Sequence, residues 1–221
     1  MNSKQQITEF HESMLCNDII CFSHLRWDFV YQRPQHLMSR FARKFRTFFI
    51  EEPVITAGEE KYEYKYTDNK VGIFIPYLNP GIVESDMSLR LNKMLVDFFK
   101  QKSILNYMFW YYTPMALSFT DNFNPELIIY DCMDELSAFK FAPPLLKDME
   151  KKLLEKADIV FTGGVSLYNH KKNQHHNIYP FPSSIDKQHF AKARVPHEDP
   201  VDQKHIPHPR LGYCACSICK K

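Results

Sequence analysis

The chain has 221 residues, of which 44% are hydrophobic and 24% charged, as expected for one soluble globular domain and a short remainder. Its net charge of +2 is too small to indicate a nucleic-acid partner. No stretch reaches the roughly 18 apolar residues of a membrane span, and the N-terminus lacks the apolar core of a secretory signal. We therefore expect a cytoplasmic protein without a disulfide framework, although it contains six cysteines.

Short apolar runs alternate with helical stripes along the chain. Residues 1–17 are polar and aperiodic and are predicted to be a flexible leader. Strands are predicted at 18–23, 47–50, within 61–76 as a pair, and at 104–112, 127–130, 159–162 and 177–181. Helices are predicted from Pro34, from a cap at Ser85 or Asp86, around 146–157, and from about Val165. This order predicts an α/β fold, a Rossmann-like, doubly wound and mainly parallel sheet.

Such sheets bind ligands beyond the carboxyl ends of their strands, near the point where the strand order reverses. The loops that begin at Ser23, Glu51, Tyr112, Asp131 and Gly163 are therefore the candidate site.

The densest chemical cluster follows the first strand. Trp27 can stack on a sugar ring, and Gln32, Arg33 and Gln35 can donate to hydroxyl groups or a phosphate at the start of a helix. Ser23 and His24, where the strand ends, are predicted to bind substrate with them. In the alternative, Gln32 and Arg33 only cap the helix, and Trp27 packs on the sheet edge.

A second cluster carries three carboxylates, Asp131, Asp134 and Glu135, at the end of a buried strand. Like charges raise one another's pKa, which can produce a proton acceptor near neutral pH. We predict Asp131 and Asp134 as the catalytic candidates, one of which would deprotonate an acceptor hydroxyl in an inverting transfer. In the alternative, Asp134 or Ser137 caps the following turn.

Paired glycines, Gly163 and Gly164, precede the short helix predicted from about Val165 and are predicted to let the backbone approach a substrate closely. A plain strand-to-helix turn explains them equally well. Four cations near the first helix suggest peripheral contact with an anionic membrane, although a solvated face is the commoner explanation. These cations are Arg40, Arg43, Lys44 and Arg46.

No metal site is predicted. The histidines around 170–176 and 205–208 are irregularly spaced, and the three thiols of Cys214, Cys216 and Cys219 fall short of the four ligands of a structural zinc site.

The segment 178–190, IYPFPSSIDKQHF, resembles the V-P-N-G-V-D-x-x-x-F pattern that ends the first domain of GT-B glycosyltransferases, in particular the group-1, GT4-like enzymes. Ser183 and Ser184 stand where that pattern has Asn and Gly. The segment 27–36, WDFVYQRPQH, is similar to a subgroup of cell-wall and capsule enzymes of teichuronic-acid type. Residues 209–213, PRLGY, resemble the first strand of the second GT-B domain.

The resemblance implies an N-terminal, acceptor-side domain at 18–190, then a linker and a truncated start of the second domain at 191–221. The whole enzyme would transfer a sugar from a nucleotide-sugar donor to a glycan or lipid-linked acceptor in cell-surface polysaccharide synthesis, without a cofactor. It would work in the cytoplasm or at the inner face of the membrane. Because donor contacts in the family come mostly from the second domain, we expect little transferase activity from this chain alone.

Two other interpretations stay open. The chain could be a non-catalytic subunit or binding module of a split glycosyltransferase, which needs a partner to supply the donor half. A flavodoxin-like nucleotide or flavin binder is disfavoured, because the first strand-to-helix loop contains almost no glycine.

Overall fold

The computed structural model describes residues 16–196 and 198–210, and within them nine strands form one sheet. The strands are β1 (Asp18–Ser23), β2 (Arg46–Glu51), β3 (Val54–Ile55), β4 (Lys61–Tyr66), β5 (Val71–Leu78), β6 (Tyr107–Tyr111), β7 (Leu127–Cys132), β8 (Ile159–Thr162) and β9 (Ile178–Pro180). The order is β3-β5-β2-β1-β6-β7-β8-β9, with β4 antiparallel to β5 and every other pair parallel. The predicted Rossmann-like fold class is confirmed.

The strand order reverses beside β1. The chain builds outward from β1 through β2 to β5 and then returns to place β6 on the free side of β1. Ile20 consequently pairs with Phe48 on one side and with Phe109 on the other. This reversal places the expected ligand site at the carboxyl ends of β1 and β6.

Helices cover both faces of the sheet. They are α1 (Arg33–Phe41), α2 (Glu84–Lys102), α3 (Leu117–Thr120), α4 (Leu146–Lys156), α5 (Val165–Lys171) and α6 (Lys187–Ala191). Alternate residues of β1 point to opposite faces. Ile20 and Phe22 join a core with Leu95 of α2 and Leu153 of α4, whereas Ile19 joins a second core with α1.

Several element boundaries differ from the sequence predictions. The long helix begins at Glu84 after Val83, so the prediction of a cap at Ser85 or Asp86 is wrong. Carboxylates in the first turn, Glu84 and Asp86, interact favourably with the helix dipole instead. The strand predicted at 104–112 is confirmed in place but covers only Tyr107–Tyr111.

The four cations predicted to lie near the first helix do not form one helical face. Arg40 is the only one of them within α1. Arg46 opens β2 and binds Asp18 through two hydrogen bonds of 2.6 Å, which removes it from a membrane-facing set. Among the described residues, no helix has both the length and the apolar character that crossing a membrane requires.

Two predicted segments extend beyond the part of the chain that the structure describes. These are the leader, described only from Cys16, and the terminal segment 211–221 with its three cysteines.

We predict that Leu95→Ala lowers the free energy of unfolding by about 2–5 kcal/mol, because Leu95 is 1% exposed in the core. Leu89→Ala is the matched control on the same helix, since Leu89 is 69% exposed, and it should change stability by less than about 0.5 kcal/mol. Urea unfolding measures both. Equal losses would contradict the assigned faces of α2.

Candidate functional site

The predicted site residues follow strands whose carboxyl ends meet at one edge of the sheet. Ser23 ends β1 and is buried, and its hydroxyl oxygen accepts a hydrogen bond from the Leu25 amide at 3.0 Å. Asp131 pairs with Phe161 in the parallel ladder, so Asp131 and Gly163 lie near the same edge. The structure therefore brings the three predicted clusters to this edge.

Arg33 and Asp131 form a buried ion pair. The Arg33 Nε and Nη2 donate to the two carboxylate oxygens of Asp131 at 2.9 and 2.8 Å. The side chains are 4% and 0% exposed. Arg33 also donates to the Phe181 carbonyl oxygen and stacks on the Phe181 ring, 4.8 Å from its centroid. Arg33 thus ties the start of α1 to the ends of β7 and β9.

Asp131 lies beneath the site rather than on its surface. Burial raises its pKa, and the hydrogen bonds from Arg33 oppose that shift. The Tyr112 hydroxyl and the Trp110 indole nitrogen are buried near Asp131, and as polar neighbours they lower its pKa. This geometry favours a positioning role for Asp131 over the base role suggested by the sequence.

The loop between β1 and α1 is shaped by its own polar side chains. Gln35 is fully buried; its side-chain oxygen accepts from the Gln32 amide at 3.0 Å, and its nitrogen donates to the Val30 carbonyl oxygen at 3.0 Å. Trp27 is 8% exposed and packs edge-on against Phe49, with 5.1 Å between ring centroids. The structure favours the packing alternative for Trp27, and it places the Gln35 side chain against the loop backbone.

His24 is the predicted residue best placed for chemistry. It is partly exposed, and its Nδ1 is buried without a hydrogen-bond partner among the described residues. Burial lowers the pKa of His24, while the nearby Asp134 carboxylate and the Tyr112 backbone raise it. The structure therefore places His24 within electrostatic reach of Asp134, across the ends of β1 and β7.

The three carboxylates of the second cluster have different surroundings. Asp131 binds Arg33, and Glu135 binds the Lys171 ammonium at 3.0 Å. Asp134 has no ion-pair partner within residues 16–196 and 198–210. Asp134 is consequently the carboxylate left to interact with His24.

Lys171 is a site residue that the sequence analysis missed. It is 4% exposed and binds both Glu135 and Glu150, the latter at 2.9 Å. Glu150 also accepts from the Tyr130 hydroxyl at 2.7 Å, so this network anchors the loop that carries Asp134. A lysine at the end of a short helix resembles an ordinary surface residue, and only the fold reveals its partners.

Two depressions open at this edge of the sheet. A cavity of about 260 Å³ lies between the ends of β1 and β2, helix α2 and the segment that follows β6. A neighbouring depression of about 340 Å³ is lined by His24 and by the loop after β7. They share lining from Glu52, Thr113, Met115 and Pro143. Glu52 is partly exposed, but the surrounding wall removes enough water to raise its pKa, and Arg26 opposes that shift.

Part of the segment 178–190 lies beside α1. Asp186 accepts from the Gln188 and His189 amides at 3.0 and 3.1 Å and caps α6. Ser183 and Ser184 line a separate depression with Arg33 and His36. Within the described residues, no group of three His, Cys, Asp or Glu side chains is placed to hold a metal ion.

The two glycines after β8 have different surroundings. A Cβ added at Gly163 would overlap the Met133 carbonyl oxygen, whereas one added at Gly164 meets open space. Gly163 therefore allows β8 to pack against the loop after β7, and Gly164 precedes α5.

Gly163→Ala should lower the free energy of unfolding by about 1–3 kcal/mol, because backbone atoms must shift to make room. The matched control, Gly164→Ala, should have a free energy of unfolding close to that of the unmodified protein. Thermal unfolding of both variants measures the difference. An unchanged melting temperature for Gly163→Ala would refute the close approach to Met133.

Comparison with known proteins gives similarity in structure alone. No family model matches the sequence, and no curated protein matches it. The apo structure of OtsA superposes with a TM-score of 0.56 at 10% identity, covering 85% of this chain and 54% of that one. Sucrose-phosphate synthase from Thermosynechococcus elongatus superposes with a TM-score of 0.54 at 10% identity, covering 81% of this chain and 53% of that one.

A third structure is an α,α-trehalose-phosphate synthase (UDP-forming) from Burkholderia xenovorans in complex with glucose-6-phosphate. It gives a TM-score of 0.50 at 10% identity and covers 79% of this chain and 51% of that one. The chain therefore spans about half the length of these solved structures. The three neighbours are glycosyltransferases of the GT-B type, and this chain has the Rossmann-like fold of one half of such a protein.

Proposed function

We propose that the chain forms the acceptor-binding half of a glycosyltransferase that uses a nucleotide-sugar donor. The observation that carries this proposal is the position of His24, which lines a depression at the strand-order reversal and lies within electrostatic reach of Asp134. The fold similarity to one half of GT-B glycosyltransferases supports it, as does the resemblance of segment 178–190 to their domain boundary.

In this proposal the hydroxyl oxygen of the acceptor attacks the anomeric carbon of the donor sugar. His24 takes up the proton of that hydroxyl group in the same step. The bond between that carbon and the donor phosphate breaks, and the nucleoside diphosphate leaves with the electron pair. Asp134 stabilises the imidazolium that forms, since a neighbouring carboxylate favours the charged state. The lowered pKa of His24 keeps the imidazole neutral, and therefore basic, near neutral pH.

The Arg33–Asp131 pair and Lys171 hold the loops that carry these two groups. Ser23, Gly163 and Gly164 shape the same edge. We expect the donor to be bound mainly by the other half of such an enzyme, so the nucleotide sugar is a co-substrate and no cofactor is required.

The acceptor that we propose is a glycan or lipid-linked precursor of a cell-surface polysaccharide, as in the group-1 enzymes of capsule and teichuronic-acid type. A lipid-linked acceptor would place a cytoplasmic protein at the inner face of the membrane. Arg40, Arg43 and Lys44 are the exposed cations without an ion pair there among the described residues, while Arg46 binds Asp18.

Transfer of radiolabelled sugar from a panel of nucleotide sugars to lipid-linked and free glycans tests the proposal. We expect little transfer by the chain alone and transfer by a complex in which a partner supplies the donor half. A complex that binds both substrates but transfers no sugar would favour the binding-module interpretation and contradict the proposed reaction. Enzyme-like rates from the chain alone would contradict the need for a donor half.

In that assay His24→Gln should lower the transfer rate by about 10²–10⁴-fold, the usual contribution of a positioned base. Asp134→Asn should shift the acidic limb of the pH profile to lower pH, because the charge that raises the pKa of His24 is removed. His176→Gln, an exposed histidine before β9, is the control and should leave the rate unchanged. An unaltered rate for His24→Gln would exclude His24 as the base.

NMR titration of labelled histidine rings checks the same pair without any activity. His24 should titrate below about 6.5, the ordinary value of an imidazole, and lower still in Asp134→Asn. The same His24 pKa in both proteins would show that Asp134 does not act on it.

A further inference from the structure

We propose that the 260 Å³ cavity binds the hydrocarbon or aryl part of an uncharged, amphipathic acceptor. This inference rests on the proposed function, because it names the class of acceptor at the same strand-end site. It favours an alcohol with an apolar group over an anionic sugar phosphate.

The cavity wall is mainly apolar and comes from three parts of the fold. Phe22 and Ile50 contribute from the ends of β1 and β2, Met87 and Leu91 from α2, and Met115 and Phe119 from the segment after β6. Such a wall favours burial of hydrocarbon, at about 25 cal/mol for each Å² removed from water.

The polar groups of the cavity disfavour an anion. Glu51, Glu52 and Glu84 line it, and among the described residues no Lys, Arg or His does. Glu51 is neutralised by Arg26 at 2.9 Å, whereas Glu52 and Glu84 form no ion pair within the described part of the chain. A phosphate in this cavity would lie beside Glu52 and Glu84, and no cationic side chain lines the cavity among the described residues.

The cavity continues into the depression that contains His24. Glu52, Thr113, Met115 and Pro143 line both, so an apolar group in the cavity leaves its hydroxyl end directed along the edge toward His24. The volumes of 260 and 340 Å³ together fall in the range of small-molecule sites, about 300–1,000 Å³.

Calorimetric binding of alkyl β-D-glucosides to the full chain tests this assignment without a donor. Affinity should rise roughly fourfold for each added methylene group until the cavity is filled. Octyl β-D-glucoside, used below its micelle concentration, should therefore bind at least about 100-fold more tightly than methyl β-D-glucoside. Octyl phosphate should bind about tenfold more weakly than octyl β-D-glucoside, because carboxylates line the cavity.

Two measurements locate the bound chain. Ser88 lines the cavity and Ser85 does not, although both lie on α2, so Ser88→Trp should abolish octyl glucoside binding while Ser85→Trp retains it. In the unmodified protein, octyl glucoside should shift the methyl NMR signals of Met87 and Met115, which line the cavity, but not that of Met38, buried in the core on the α1 face.

Affinity that is independent of alkyl length, tighter binding of octyl phosphate, or a shift of Met38 in place of Met87 and Met115 would each overturn the inference. If alkyl glucosides bind in the cavity but no complex of the protein transfers sugar, the proposed function is refuted and this inference stands. Transfer to glycans with no binding of alkyl glucosides would refute this inference alone.

Discussion

The strand-end site depends on the buried ion pair between Arg33 and Asp131. One guanidinium group binds the end of β7 through both carboxylate oxygens and the backbone after β9 through the Phe181 carbonyl oxygen. Because both side chains are buried, loss of one partner would leave the other as an uncompensated buried charge. The pair therefore fixes α1, and with it the loop that begins at His24, against the loop that carries Asp134.

This arrangement separates the roles of three carboxylates that are close together in sequence. Asp131 is ion-paired with Arg33 beneath the site, and Glu135 is ion-paired with Lys171. These two carboxylates therefore position the loops and do not act on the substrate. Asp134 has no ion-pair partner within the described residues, and it raises the pKa of His24. The same edge has an apolar cavity beside the depression that His24 lines, which is the combination that an acceptor with a hydroxyl group and an apolar group requires.

The centre of the sheet was predictable because β1 and β6 are short apolar runs buried along their whole length, and such runs are recognisable locally. The partners of the site residues were not predictable from the sequence, because Arg33 and Asp131 are 98 positions apart and Lys171 lies 36 positions from Glu135. Sequence spacing alone suggested mutual repulsion among the carboxylates, and the fold supplies a cation to two of them. Trp27 was predicted to stack on a sugar ring because its neighbours in sequence are polar, but in the structure its ring packs against Phe49.

A double-mutant cycle on Arg33→Met and Asp131→Leu, followed by urea unfolding, tests the central claim most directly. Each single substitution should cost about 3–5 kcal/mol, because it leaves a buried charge without a partner. The double substitution should cost less than either single substitution, because no unpaired charge remains, and this requires a coupling energy above about 3 kcal/mol between the two side chains. Losses that add within about 0.5 kcal/mol would show that the two side chains do not interact, and would contradict the account of how this site is held together.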